Sequence, residues 1–180
     1  FWSPDSKQFA YGLDGRLWKQ AIGSEQRTPL CAIPESVRIH GGCWAPSGKI
    51  VFTAWRGGLY ETNQLGGDPR QLLSTDSLMF HDFHTPHFLP DGKTILLFIH
   101  AKTDERSGIG VLPDGSSVPK MLLEHASARG VSYSPTGHLL YTLETEQEIW
   151  AVPFSTSSLE LTGSPFQISN LGMHPTFSDD

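Results

Sequence analysis

The chain has 180 residues, with 18 glycines, 13 prolines and a net charge of -6 from 13 basic and 19 acidic residues. That length suffices for one domain with a buried core. The acidic balance, with no basic stripe, argues against a nucleic-acid binder; no run of about 18 apolar residues offers a membrane-inserting segment. Two cysteines, Cys31 and Cys43, are too few for a disulfide framework and read as buried free thiols on strands.

In chain order, the first predicted unit opens on Phe1-Trp2-Ser3-Pro4-Asp5, an aromatic residue ahead of a tight turn in which proline presets φ. Strands follow over Gln8 to Tyr11, at Leu17-Trp18 and over Thr28 to Leu30. The second unit repeats the order with Cys43-Trp44-Ala45-Pro46-Ser47-Gly48, Ile50 to Phe52, Leu59-Tyr60 and Arg70 to Leu72. The third has His87-Phe88-Leu89-Pro90-Asp91-Gly92, Thr94 to Phe98, Ile109-Gly110 and Lys120 to Leu122, with about six extra residues within Ala101 to Ser107. The fourth has Ser132-Tyr133-Ser134-Pro135-Thr136-Gly137, Leu139 to Tyr141, Ile149-Trp150 and Phe166 to Ile168, and Thr176 to Asp180 begins the pattern again. These runs are too short for helices and rich in β-formers.

The aromatic anchors Trp2, Trp44, Phe88, Tyr133 and Phe177 are 42, 44, 45 and 44 residues apart. Four short strands per period of about 40–45 residues are the signature of propeller blades. The fold expected is all-β: a partial β-propeller with four blades of four antiparallel strands, over residues 1–40, 41–84, 85–129 and 130–174, plus the first strand of a fifth over 175–180. The anchors are expected to fill the gaps between neighbouring sheets, and the chain reads as a piece of a longer protein.

Antiparallel strands send their connections alternately to two rims. The Pro-Asp-Gly turns gather on one. The other collects the second-to-third loops, the blade crossovers and the charged stretch Lys102 to Arg106, and is the expected binding face for a protein or small-molecule ligand. Its candidate binding residues are Arg38, His40, His81, Asp82, His84, Arg129 and His174. The three histidines of His81-Asp82-Phe83-His84-Thr85-Pro86-His87 invite a zinc reading, but strand geometry points i and i+3 to opposite faces and Pro86 opposes a helix. Polar residues lining an axial channel are the preferred reading, with no metal and no cofactor. The chain has no Gly-x-Ser-x-Gly nucleophile elbow, no phosphate-binding glycine loop and no Asp-Phe-Gly metal ligand, so it is expected to carry no catalytic residues and no enzymatic activity of its own.

The residues Trp2-Ser3-Pro4-Asp5, Phe88-Leu89-Pro90-Asp91-Gly92 and Tyr133-Ser134-Pro135 make the chain resemble TolB-like, WD-type propeller repeats. Three further stretches, Gly41-Gly42-Cys43-Trp44, Pro86 to Lys93 and Trp150-Ala151-Val152-Pro153-Phe154 with Leu159 to Phe166, are similar to the C-terminal propeller of bacterial eukaryotic-like serine/threonine protein kinases. That resemblance implies a sensing or scaffolding module in a signalling protein, commonly behind a membrane span. Two alternatives remain open: the gating propeller of a prolyl-oligopeptidase-like serine peptidase, and a TolB-like periplasmic scaffold.

Overall fold

The computed structural model describes residues 1–33, 38–75, 79–172 and 175. Among them lie sixteen strands: β1 (Gln8–Leu13), β2 (Arg16–Ala21), β3 (Arg27–Ala32), β4 (Ile39–Trp44), β5 (Lys49–Ala54), β6 (Gly58–Asn63), β7 (Arg70–Leu73), β8 (Phe80–Phe88), β9 (Ile95–Ala101), β10 (Gly108–Leu112), β11 (Lys120–Glu124), β12 (Ala128–Ser134), β13 (His138–Leu143), β14 (Glu148–Ser155), β15 (Glu160–Leu161) and β16 (Phe166–Ser169). They form four antiparallel sheets in simple meander order, β1-β2-β3, β4-β5-β6-β7, β8-β9-β10-β11 and β12-β13-β14 with β15 and β16. This is the expected partial propeller. In the first sheet Trp2 makes only a single bridge to Phe9 instead of a full inner strand. In the fourth, β15 and β16 lie end to end along β14, against Phe154–Ser155 and Ile149–Ala151. The extra residues of the third blade carry a single turn of 3-10 helix, Asp104–Arg106. The expected fifth blade rests on Phe177, outside the described residues.

One turn is built four times. The amide N–H of Ser6, Gly48, Gly92 and Gly137 donates to the carbonyl of Ser3, Ala45, Leu89 and Ser134, each at 2.9 Å. The donor has positive φ in every copy, and Ser6 (φ 55°) adopts it where the other three use glycine.

Alternation along the strands sorts side chains into three inter-blade cores. On β5, Ile50 and Phe52 face the first blade, while Val51 faces the third; all three have no exposed surface. On β9, Leu97 and Ile99 face the second blade and Leu96 the fourth. Each such buried side chain stabilises the fold by about 1.5–3 kcal/mol. The anchors do sit in these gaps: Trp44 in the first core, Phe88 and Tyr133 at the edges of the second and third. Trp2, with no described blade on its outer side, is 60% exposed. Burial is deeper one residue on, at Ser3, Ala45, Leu89 and Ser134. Cys31 and Cys43 are unbridged thiols, and burial raises the pKa of both, that of Cys31 to about 11.

Each blade also has a bulge between its third and fourth strands, beside Leu17/Trp18, Leu59/Tyr60, Ile109/Gly110 and Ile149/Trp150. The echo pairs of the sequence thus mark a shared backbone irregularity, with Leu30, Leu72, Leu122 and Ile168 as the extra residues.

Candidate functional site

The inner strands β4, β8 and β12 pack side by side. Each carries one extra residue at a matching place, between Ile39 and Gly42, His84 and His87, and Arg129 and Ser132, and β8 has a second at His81. Inside each interruption lies one residue with positive φ: Gly41 (127°), Thr85 (46°) and Gly130 (62°). All three stand three residues before their anchors, and the residues just ahead of them are His40, His84 and Arg129. A bulge re-aims its neighbouring side chains, and here it does so at the same repeat position in three successive blades. Thr85 is β-branched, and left-handed backbone at such a residue stores strain of the kind that marks functional sites. Its buried Oγ1 has no hydrogen-bond partner among the described residues.

The side chains so aimed converge. Nδ1 of His40 lies 3.2 Å from Nδ1 of His84, a hydrogen bond in which one ring donates and the other accepts. The Trp55 ring packs on His40 with centroids 4.4 Å apart. Phe98 and His100 of β9 lie 5.9 and 6.2 Å from the His84 ring, centre to centre. The Arg129 guanidinium rests on Phe98, its central carbon 4.2 Å from the ring centre. Its Nη1 donates to the carbonyls of Ala126 (2.7 Å) and Ala128 (2.8 Å), and its Nε lies 3.3 Å from Oε2 of Glu144.

Burial pushes the His84 pKa from the ordinary 6.5 down to about 4; Asp82 works against that, while His40, His100 and Arg129 add to it. His84 is therefore a neutral imidazole at pH 7. Its Nε2 lies 3.8 Å from Oδ2 of Asp82, which favours the ring proton on Nε2 and leaves Nδ1 to accept from His40. In that arrangement His40 donates through Nδ1, and its Nε2 is the ring nitrogen left to meet a ligand. Arg129 supplies the opposite capacity, a fixed cationic donor. Among the described residues no group of three or more metal-ligating side chains is placed to hold a metal ion.

Of the sequence candidates, the structure brings His40, His84 and Arg129 together, with His81 at the edge against His100 (5.3 Å between centroids). Asp82 is corrected from a rim residue to a core one: it is 2% exposed and accepts from the N–H of Phe83, so it acts on His84 from behind. Arg38 is exposed and lines a separate depression with Asp14 and Ile39, touching the cluster only through its carbonyl, which accepts from the N–H of Trp55. His174 lies outside the described residues. Trp55, Phe98, His100 and Glu144 were not singled out. Trp55 and His100 lie at the ends of second strands, where the register with β4 and β8 was the only available signal.

No family model matches the chain, and no curated protein does. Solved structures do. Regucalcin from Agrobacterium tumefaciens, described as a calcium-binding protein, aligns over 92% of this chain and 56% of its own at 14% identity and a TM-score of 0.68. Virginiamycin B lyase from Staphylococcus aureus aligns over 94% and 54% at 13% identity and a TM-score of 0.64. A periplasmic gluconolactonase from Pseudomonas aeruginosa aligns over 96% and 53% at 13% identity and a TM-score of 0.62. The chain thus spans a little over half the length of each. The expectation that it has no enzymatic activity is corrected by these neighbours: a lyase and a lactonase are built on this scaffold, so missing hydrolase and kinase motifs do not exclude catalysis. At such identities the likeness establishes architecture alone, and by that measure, together with its four meander sheets, the chain has a β-propeller fold.

Proposed function

We propose that the chain is a ligand-binding propeller module whose recognition site is the cluster of His40, His84 and Arg129 on the inner strands. One observation carries this reading: three successive blades deliver the residue four positions before the anchor to one place, each through a bulge with left-handed backbone. The strain at Thr85 is of a kind retained where it positions function, and three bulges at one repeat offset favour a shared axial site over three unrelated loops. The site offers the Nε2 edge of His40, a fixed guanidinium on Arg129 and the exposed ring of Trp55, which suits a small polar ligand with a flat apolar face. Its resemblance to kinase-linked propellers supports a sensing role in a larger signalling protein.

The test is a screen of small metabolites by protein NMR, following the imidazole resonances of His40 and His84. A true ligand shifts those signals, and its affinity falls at least about tenfold, or 1.4 kcal/mol, in His40→Ala and in Arg129→Ala. Hits whose affinity ignores both substitutions would show that the ligand site lies elsewhere.

A further inference from the structure

Near the axis, the second and third blades are joined by a hydrogen bond between two groups of the same kind. Nδ1 of His40 on β4 and Nδ1 of His84 on β8 lie 3.2 Å apart. One proton sits between them; the ring that carries it donates and the other accepts. An imidazolium has an N–H at both ring nitrogens and no lone pair left to accept with. The pair therefore tolerates a charge on one ring at most. With both rings charged, two N–H groups face each other and the bond cannot exist. It lies beside the closest passage of the two strands, where a Cβ on Gly41 would come 3.1 Å from Cα of Thr85. Left-handed backbone at a β-branched residue such as Thr85 (φ 46°) persists only while its surroundings hold it.

The charges around the pair oppose a second proton. Facing His84 are Asp82 from its own strand, with Oδ2 3.8 Å from Nε2, and His100 from β9, 6.2 Å between ring centres. From β12 comes Arg129, its guanidinium on the Phe98 ring and its Nε 3.3 Å from Glu144 of β13. His81, also on β8, stands against His100, 5.3 Å between ring centres. Facing His40 is the Trp55 ring, 4.4 Å between centres, with the Arg56 guanidinium 5.8 Å from the Trp55 ring centre. Among the groups that act on the charge of His84, Asp82 is the single anion, set against His40, His100 and Arg129.

We propose that the His40–His84 pair is a proton-operated latch: it clasps β4 to β8 at neutral pH, and acid releases it by charging both rings while the three inter-blade cores stay packed. Burial, together with the cationic neighbours and against the pull of Asp82, holds the pKa of the closed His84 ring near 4 instead of 6.5. The open arrangement therefore binds the proton more tightly, and its share relative to the closed one rises by up to about tenfold per pH unit as pH falls from 6.5 to 4. Release leaves the His40 ring with the Trp55 face alone and frees the two bulges to relax. The latch is a property of the fold; for its consequence, a site that empties in acid, it rests on the reading of this cluster as the ligand site.

The test is an NMR titration of the ligand-free, isotope-labelled 180-residue chain from pH 7 down to pH 4, so its outcome is independent of whether the cluster binds anything. At pH 7 the two Nδ1 nuclei should show a scalar coupling through their shared proton. In acid that coupling should fall to about a tenth or less as both rings take imidazolium shifts. The amide signals of Gly41 and Thr85 should move in the same step, while those of β2 and β14 keep their folded positions. His84→Gln, whose side-chain carbonyl still accepts from His40 but takes up no proton in this range, should lose the step at Thr85. Absence of the coupling at pH 7 overturns the proposal, as does titration of His84 with the coupling intact. So does loss of the coupling only together with the folded signals of β2 and β14, which is global unfolding, or an acid step at Thr85 of unchanged size in His84→Gln. The parent titration decides the matter even where the variant fails to fold.

Discussion

Gly41 shows how much one backbone position decides. Its φ of 127° is open to glycine and strained for other residues, and a Cβ there would come within 3.1 Å of Cα and 3.2 Å of the backbone nitrogen of Thr85 on the neighbouring inner strand. The chain therefore permits no side chain where β4 passes β8, and that close passage sets the His40–His84 contact. Gly41→Val is expected to cost about 2–3 kcal/mol, read as a lower urea midpoint with unchanged slope. Gly115→Ala is the comparison: φ is also positive (74°) but nothing lies within 4 Å, so about 1 kcal/mol is expected. Equal losses at the two sites would remove the steric part of the argument. At this scale the sequence was legible for residue type and much less so for direction. His40, His84 and Arg129 stood out as polar residues on crossovers. Asp82 was misplaced because it falls in a stretch expected to be a blade crossover, whereas β8 already runs from Phe80, and nothing in the local composition announces a bulge at Thr85.

Five of the six residues of β5 are buried, and Phe52 is the largest of them. Phe52→Ala should cost about 3–5 kcal/mol in urea unfolding, since neither flanking blade can move in to close the gap. Ile168→Ala, on the outer strand β16 where the side chain is 53% exposed, should cost less than about 1 kcal/mol. Comparable losses would contradict the assignment of the core to the middle strands. Strand positions were the most legible part of the chain: every expected second, third and fourth strand is present, because short β-branched and aromatic runs between Pro/Gly turns leave little choice. The inner strands were less so. β8 starts at Phe80, eight residues ahead of its anchor, and Pro86 within it reads as a break in any local analysis. Tertiary pairing with β9 overrides that signal.

For the molecule as a whole, a half-buried histidine pair on the inner strands sets the response to acid. His84 is neutral when folded and has a pKa near 4, but once unfolded it takes up a proton near 6.5. Between those values the unfolded chain binds more protons, so stability is full above pH 6.5 and falls as pH drops to 4, by on the order of 3 kcal/mol. Burial lowers the His87 pKa as well, adding in the same direction. Asp5 acts in the same direction over a lower range: hydrogen bonds from Ser3 and the Lys7 amide hold its carboxyl below 3.8, so its contribution persists to lower pH and is lost only in a separate, more acidic range. Urea unfolding at pH 7, 5 and 4 should show the decline, and His84→Gln should flatten most of it. A flat profile in the parent chain would mean that His84 is not held neutral. The division of β5 between two cores has a last consequence. Deleting a single residue there would hand Phe52 to the wrong neighbour and Val51 to the other, wrecking both partitions in one step. Changes of length can therefore accumulate over evolution only where the chain reverses at the rims, which is where the third blade has already absorbed its Ala101–Ser107 excursion.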